Sequence, residues 1–138
     1  MRKIYIQEVE FVAHTLAKET VAWNEPIPPF DTRFPGVLEG CLATPFGAFS
    51  RHPFYPGLTG KAAMLFYLLI KNHPFQNGNK RIAVVALLFF LLKNKKWIRV
   101  DSVEFYNFAR WVAESNPKLK NETAAAIKKF IDTYLTDT

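Results

Sequence analysis

Two stretches of this chain, residues 62–70 and 82–92, are apolar on every side, and only a short polar joint separates them. A helix that is hydrophobic all round belongs in an interior, whereas a surface helix keeps a polar face. Two such helices in sequence, over residues 58–71 and 81–92, must therefore form the centre of the fold. Neither run reaches the roughly 18 apolar residues that a membrane span needs. The pair is a core, which excludes a membrane-spanning role for this part of the chain.

The remainder has to wrap that pair, and its pattern is helical almost throughout. Val9, Val12, Ala13 and Leu16 fall on one face, which predicts a helix over residues 7–18. The run Asn24-Glu25-Pro26-Ile27-Pro28-Pro29 cannot continue it, because proline restricts its own backbone and that of its predecessor. A short helix over residues 35–43 is stopped by Pro45, and residues 46–57, rich in Gly, Pro and aromatics, read as a loop or small hairpin. Beyond the second core helix, residues 97–100 are briefly extended. Asp101 then caps a helix, with Glu104 placed to complete a capping box, and Phe105, Phe108, Ala109 and Val112 on its inner face. Asn116-Pro117 breaks the chain before a last helix striped with Ile127, Phe130, Ile131 and Tyr134. With no internal repeat and no linker, residues 1–138 read as one all-α domain, a compact bundle of about six helices.

Composition agrees. Hydrophobic residues at 49% and aromatics at 15% exclude a disordered chain. The net charge of +6 is compatible with a polyanionic partner, but the cations are scattered apart from short clusters such as Lys93-Asn94-Lys95-Lys96. That pattern serves solubility more often than nucleic-acid binding. The single cysteine, Cys41, can form no intrachain disulfide and reads as a small buried hydrophobe. With no signal peptide in view, a reducing cytoplasm is the expected setting.

Chemistry concentrates in the joint between the core helices, Asn72-His73-Pro74-Phe75-Gln76-Asn77-Gly78-Asn79-Lys80-Arg81. Gly78 permits backbone conformations that other residues resist. Asn79, Lys80 and Arg81 open the following helix, whose first N–H groups lack partners inside it. Those amides, the positive end of the helix dipole and two cationic side chains suit an anion, phosphate best of all. His73 stands just before them, and imidazole exchanges protons near neutral pH without special tuning. Singly, each residue has an ordinary explanation: a histidine capping a helix end, an Asn-Gly turn, two solvated cations. A turn, however, needs neither the histidine nor the paired cations. A base beside a phosphate cradle is the minimum equipment for phosphoryl or nucleotidyl transfer.

The segment His73-Pro74-Phe75-Gln76-Asn77-Gly78-Asn79-Lys80-Arg81 closely resembles the signature of the Fic/Doc family, His-x-Phe-x-(Asp/Glu)-(Gly/Ala)-Asn-(Gly/Lys)-Arg. Pro35-Gly36-Val37-Leu38-Glu39, Tyr55-Pro56-Gly57 through Lys61-Ala62-Ala63, and Asn94-Lys95-Lys96-Trp97 extend the resemblance over nearly the whole chain. It implies the Fic/Doc fold, with His73 as general base toward a target hydroxyl and Phe75 anchoring the loop. Asn77, Gly78, Asn79, Lys80 and Arg81 would form the nucleotide phosphate site. It also implies a flap over residues 46–56 (Phe46, Gly47, Phe49, His52, Phe54 and Tyr55) that takes a target segment as an added strand.

Lys80, where most members carry Gly, and the lack of a second Arg after Arg81 resemble the death-on-curing (Doc) branch. That likeness implies phosphoryl transfer from ATP with Mg2+, a protein target such as translation elongation factor Tu, and restraint by a separate antitoxin. Asn77 stands where the family usually has a magnesium-binding carboxylate, so it would be a weak metal ligand. AMP transfer, and a module that has lost catalysis, are the alternatives; a nucleic-acid binder is disfavoured because no recognition-helix pattern is present. His52-Pro53-Phe54 repeats the start of the signature without its continuation, and His14 can pair with Glu10 on the first helix.

Overall fold

The computed structural model describes residues 1–16 and 26–138. Six α-helices are present among the described residues, with two short strand pairs, so the fold is all-α in class. Helix α1 (Ile6–Phe11) starts with Glu8 Oε1 accepting from the Tyr5 N–H at 2.8 Å, and continues as a π-helical turn, Val12–Leu16. The helix expected over 7–18 thus begins as read; residues 17 and 18, like Asn24 and Glu25 of the proline-rich break and the His14 side chain, lie outside the described residues.

The expected second helix is α2 (Val37–Ala43). Pro45 does not stop the chain outright, since a 3₁₀ turn (Thr44–Phe46) follows. A proline within the first turn of such an element loses no hydrogen bond, because its N–H would have had no acceptor there. The next residues do form a hairpin, β1 (Ala48–Phe49) against β2 (His52–Pro53), paired Ala48 to Pro53 and Phe49 to His52. Its two turn residues, Ser50 and Arg51, both have positive φ (51° and 68°), as a two-residue turn matched to the strand twist demands.

The two core helices are α3 (Gly57–Lys71) and α4 (Asn79–Lys93), packed against each other. Every residue from 62 to 70 is buried, as the apolar pattern requires. Enclosure of α4 is less complete: residues 82–87 are buried, but Leu92 is 49% exposed. The reason is that Leu88, Phe89 and Leu92 line one side of an apolar cleft with Leu16, Trp97 and Val100.

Helix α5 (Ser102–Glu114) and helix α6 (Lys120–Tyr134) pack on α3. Phe105, Ala109 and Val112 of α5 and Ile127 and Ile131 of α6 are buried, while Phe108 and Phe130 stack at 4.0 Å between the two helices. Asp101 caps α5 as its position suggested, Oδ2 accepting from the N–H groups of Val103 (3.1 Å) and Glu104 (3.3 Å). The reciprocal half of the capping box is replaced. Glu104 Oε1 accepts instead from the Tyr134 hydroxyl of α6 at 2.5 Å, a partner that local sequence could not reveal. Equally unforeseen is the closing strand pair. Strand β3 (Lys96–Ile98) overlaps the extended piece expected over residues 97–100 but starts one residue earlier and ends two earlier, and its partner β4 (Leu135–Asp137) follows directly on α6, in the register Trp97 to Thr136. Cys41 is fully buried, its Sγ donating to Leu68 O at 3.4 Å. No helix among the described residues is long and apolar enough to cross a membrane.

Candidate active site

Helix α3 ends at Asn72, whose N–H still reaches Leu68 O at 3.0 Å. The chain then turns sharply: His73 is exposed and left-handed, with φ of 48°. Few residues other than Gly adopt this region, although His is among those that do so more readily. Pro74 and Phe75 then plunge inward. Phe75 is 1% exposed and its ring lies 5.9 Å from that of Phe30.

Asn79 closes the loop. Its Oδ1 accepts from the Phe75 N–H at 3.0 Å and its Nδ2 donates to Phe75 O at 2.9 Å, a reciprocal pair formed within the buried side of the joint. One amide proton and the backbone N–H of Asn79 are left to contribute toward an anion; its carbonyl oxygen is already used by the loop. This clamp explains why an asparagine suits the position. A carboxylate has no proton to offer Phe75 O, and an alanine would abandon both backbone groups.

Gly78 caps α4 in the left-handed region, with φ of 74°. A Cβ here would stand 2.8 Å from Pro26 O and 3.3 Å from Ile27 Cγ1, so conformation and space both require glycine. The first hydrogen bond inside α4 runs from the Ile82 N–H to Gly78 O at 2.9 Å. The amides of residues 79–81 therefore point out of the helix end, where the dipole is positive. Lys80 and Arg81 are half-buried in this first turn. His73 and the helix start consequently bracket one short loop, bringing an exposed imidazole and the positive end of a helix dipole to the same edge of the core.

Asn77 is exposed, and its Oδ1 accepts from the Gly78 N–H at 2.8 Å. The residue expected to be a weak metal ligand is thus turned back onto its own loop. No group of three or more His, Cys, Asp or Glu placed to hold a metal occurs among the described residues.

The hairpin assigned as a flap is joined to this loop through the whole of α3. It precedes α3 while the loop follows it, and a 15-residue helix is about 20 Å long. Phe46 packs edge-on against Phe90 at 5.7 Å, near the far end of α4. Gly47 O accepts from the Phe54 N–H at 3.1 Å and Tyr55 O from Lys61 Nζ at 2.6 Å, so these residues form the foot of the hairpin. Phe49, His52 and Phe54 are exposed on it. What lies on the loop is the proline-rich break itself, through Pro26 and Ile27, with Phe30 directly after it. Sequence reasoning took those prolines only as an interruption; the one available signal was a large aromatic, Phe30, placed directly after them.

A family model described as the Fic/DOC family matches residues 15–91, which span α2, the hairpin, both core helices and the joint. No curated protein and no solved structure gives a significant match.

Proposed function

Because the chain belongs to the Fic/DOC family, whose members are typically protein-modifying transferases, we propose that it moves a phosphate-bearing group from a nucleoside triphosphate to a hydroxyl of another protein. The observation that carries this reading is the joint itself: an exposed His73 at one end of a clamped loop, and the positive start of α4 at the other. In the reaction, His73 takes the proton of the target hydroxyl as its oxygen bonds to phosphorus. The bond from that phosphorus to the rest of the nucleotide breaks, and the amides of residues 79–81 with Lys80 and Arg81 hold the charge on the phosphate oxygens.

Phosphoryl transfer from ATP, in the manner of the Doc branch, is the form proposed. Its support is Lys80, whose bulk and charge occupy the position where glycine would leave room for further phosphates. On this reading the target is a translation factor and a separate antitoxin restrains the protein. Magnesium finds few ligands here, since residues 72–81 include no carboxylate and the Asn77 amide oxygen is engaged. Any ion would rest chiefly on the nucleotide, and no step above is routed through it.

The same Asn77 favours a second reading, a nucleotide-binding module with little or no transfer. One experiment separates the readings. The protein is incubated with candidate targets and ATP labelled at the α or the γ phosphate, and the intact mass of each target is measured. Gain of one phosphate with γ label, abolished by His73→Ala, is expected. Transfer of α label would instead establish AMP transfer, and no transfer, unimproved by Asn77→Asp, the binding module.

A further inference from the structure

We propose that residues 26–34 form a strap that sets the pose of His73, with Phe30 as its positioning residue. This rests on the functional reading above for its kinetic consequence, but the contacts that argue it are independent of that reading. The strap meets the joint three times, in opposite chain order. Pro26 O and Ile27 lie against Gly78. The ring of Phe30 meets that of Phe75 at 5.9 Å. The Phe34 N–H donates to Pro74 O at 3.0 Å. Prolines 28 and 29 restrict the backbone between the first two contacts.

Phe30 is the middle of the three and the best fixed. It is 9% exposed, it opens a 3₁₀ turn (Phe30–Thr32), and the Arg33 guanidinium lies 4.3 Å from its ring centre while Nη1 donates to its carbonyl at 3.3 Å. The Thr32 hydroxyl donates to Pro29 O at 2.6 Å, tightening the same turn.

His73 has something for the strap to hold. Its backbone is left-handed, a conformation that persists in a non-glycine residue only when the surroundings impose it. On its N-terminal side the end of α3 fixes Asn72. On its C-terminal side the strap holds Pro74 through Phe34, and Phe75 through Phe30. Removing the Phe30 ring leaves the Phe75 side chain a space to move into, and on its C-terminal side the backbone of His73 keeps only the Phe34 bond to Pro74 and the Asn79 clamp on the Phe75 backbone. The imidazole then samples poses in which it cannot meet the target hydroxyl, while the phosphate-binding end, built on the first turn of α4, keeps its place.

The test compares Phe30→Ala and the milder Phe30→Leu with Ile131→Ala, a buried change on α6 that lowers stability without touching the strap. All are assayed well below their unfolding temperatures, and His73→Ala first establishes that transfer depends on the histidine. The expected result is a fall in kcat of about tenfold or more in Phe30→Ala, with KM for ATP within about threefold, partial recovery in Phe30→Leu, and wild-type kcat in Ile131→Ala. Equal kcat in Phe30→Ala and Ile131→Ala overturns the proposal. If the wild-type protein transfers nothing, the functional reading fails by itself and the strap is judged by NMR of the His73 ring, assigned by its loss in His73→Ala. A moved ring signal in Phe30→Ala alone supports the strap, and an unmoved one overturns it.

Discussion

Replacing Asn79 by alanine tests whether the side-chain clamp, rather than the turn residues, holds the joint together. The substitution removes two hydrogen bonds, of 3.0 and 2.9 Å, and leaves the N–H and C=O of Phe75 without partners in a residue that is 1% exposed. A buried polar backbone group left unsatisfied costs about 1–3 kcal/mol. The loop can relax toward solvent at the exposed Gln76 and Asn77, so the expected loss is about 2–4 kcal/mol. For 138 residues, an unfolding entropy of about 2.1 cal/mol/K per residue turns each kcal/mol into about 3.5 °C, a fall in Tm of about 7–14 °C. Calorimetry reads it directly, and urea unfolding should show a lower midpoint at unchanged slope. Asn79→Asp keeps the acceptor for the Phe75 N–H but loses the donor to Phe75 O, so its loss is smaller. That loss should shrink further below about pH 4, where a protonated carboxyl can donate. A fall of less than about 2 °C in Asn79→Ala would refute the reasoning, because it would mean that the Phe75 groups are satisfied without the amide.

Gly78→Ala forces a Cβ to within 2.8 Å of Pro26 O and holds a left-handed φ of 74°; it should lower stability by about 2 kcal/mol or more and weaken ATP binding, measured by titration calorimetry. Burial pushes the Cys41 thiol up to about 11 from 9.0. The unfolded chain therefore releases this proton first, and stability falls as pH rises from about 9 to about 11. In Cys41→Ala that stretch of the stability profile should be flatter, and iodoacetamide at pH 8 should spare the native thiol while labelling it in denaturant.

Helix positions in this chain are legible because they depend on periodicity and punctuation, both local. The all-apolar run at residues 62–70 could only be an interior helix, and Asp101 announces the start of α5 through its own side chain. Contacts between distant segments leave no such mark. Tyr134 reaching Glu104, β4 pairing with β3, and Phe34 donating to Pro74 join residues 30 to 41 positions apart that no periodicity relates. At the site the same division holds. The proposed chemistry of His73, Gly78 and Arg81 rests on residue type and order, and Phe75, read as an anchor, is 1% exposed. The inward use of the Asn79 amide is not readable, because an asparagine at a helix start serves a ligand and a neighbouring backbone equally well.

The bond pair between Asn79 and Phe75 has a further consequence for how a ligand is met. The entropy of ordering residues 75–79 is charged to folding, not to association. On the function proposed above, a phosphate arriving at the start of α4 would find the joint already ordered, so binding should proceed in one kinetic phase with little change in loop mobility. The same economy makes the segment unforgiving, because a change that loosens it weakens the fold and the recognition of ligand together.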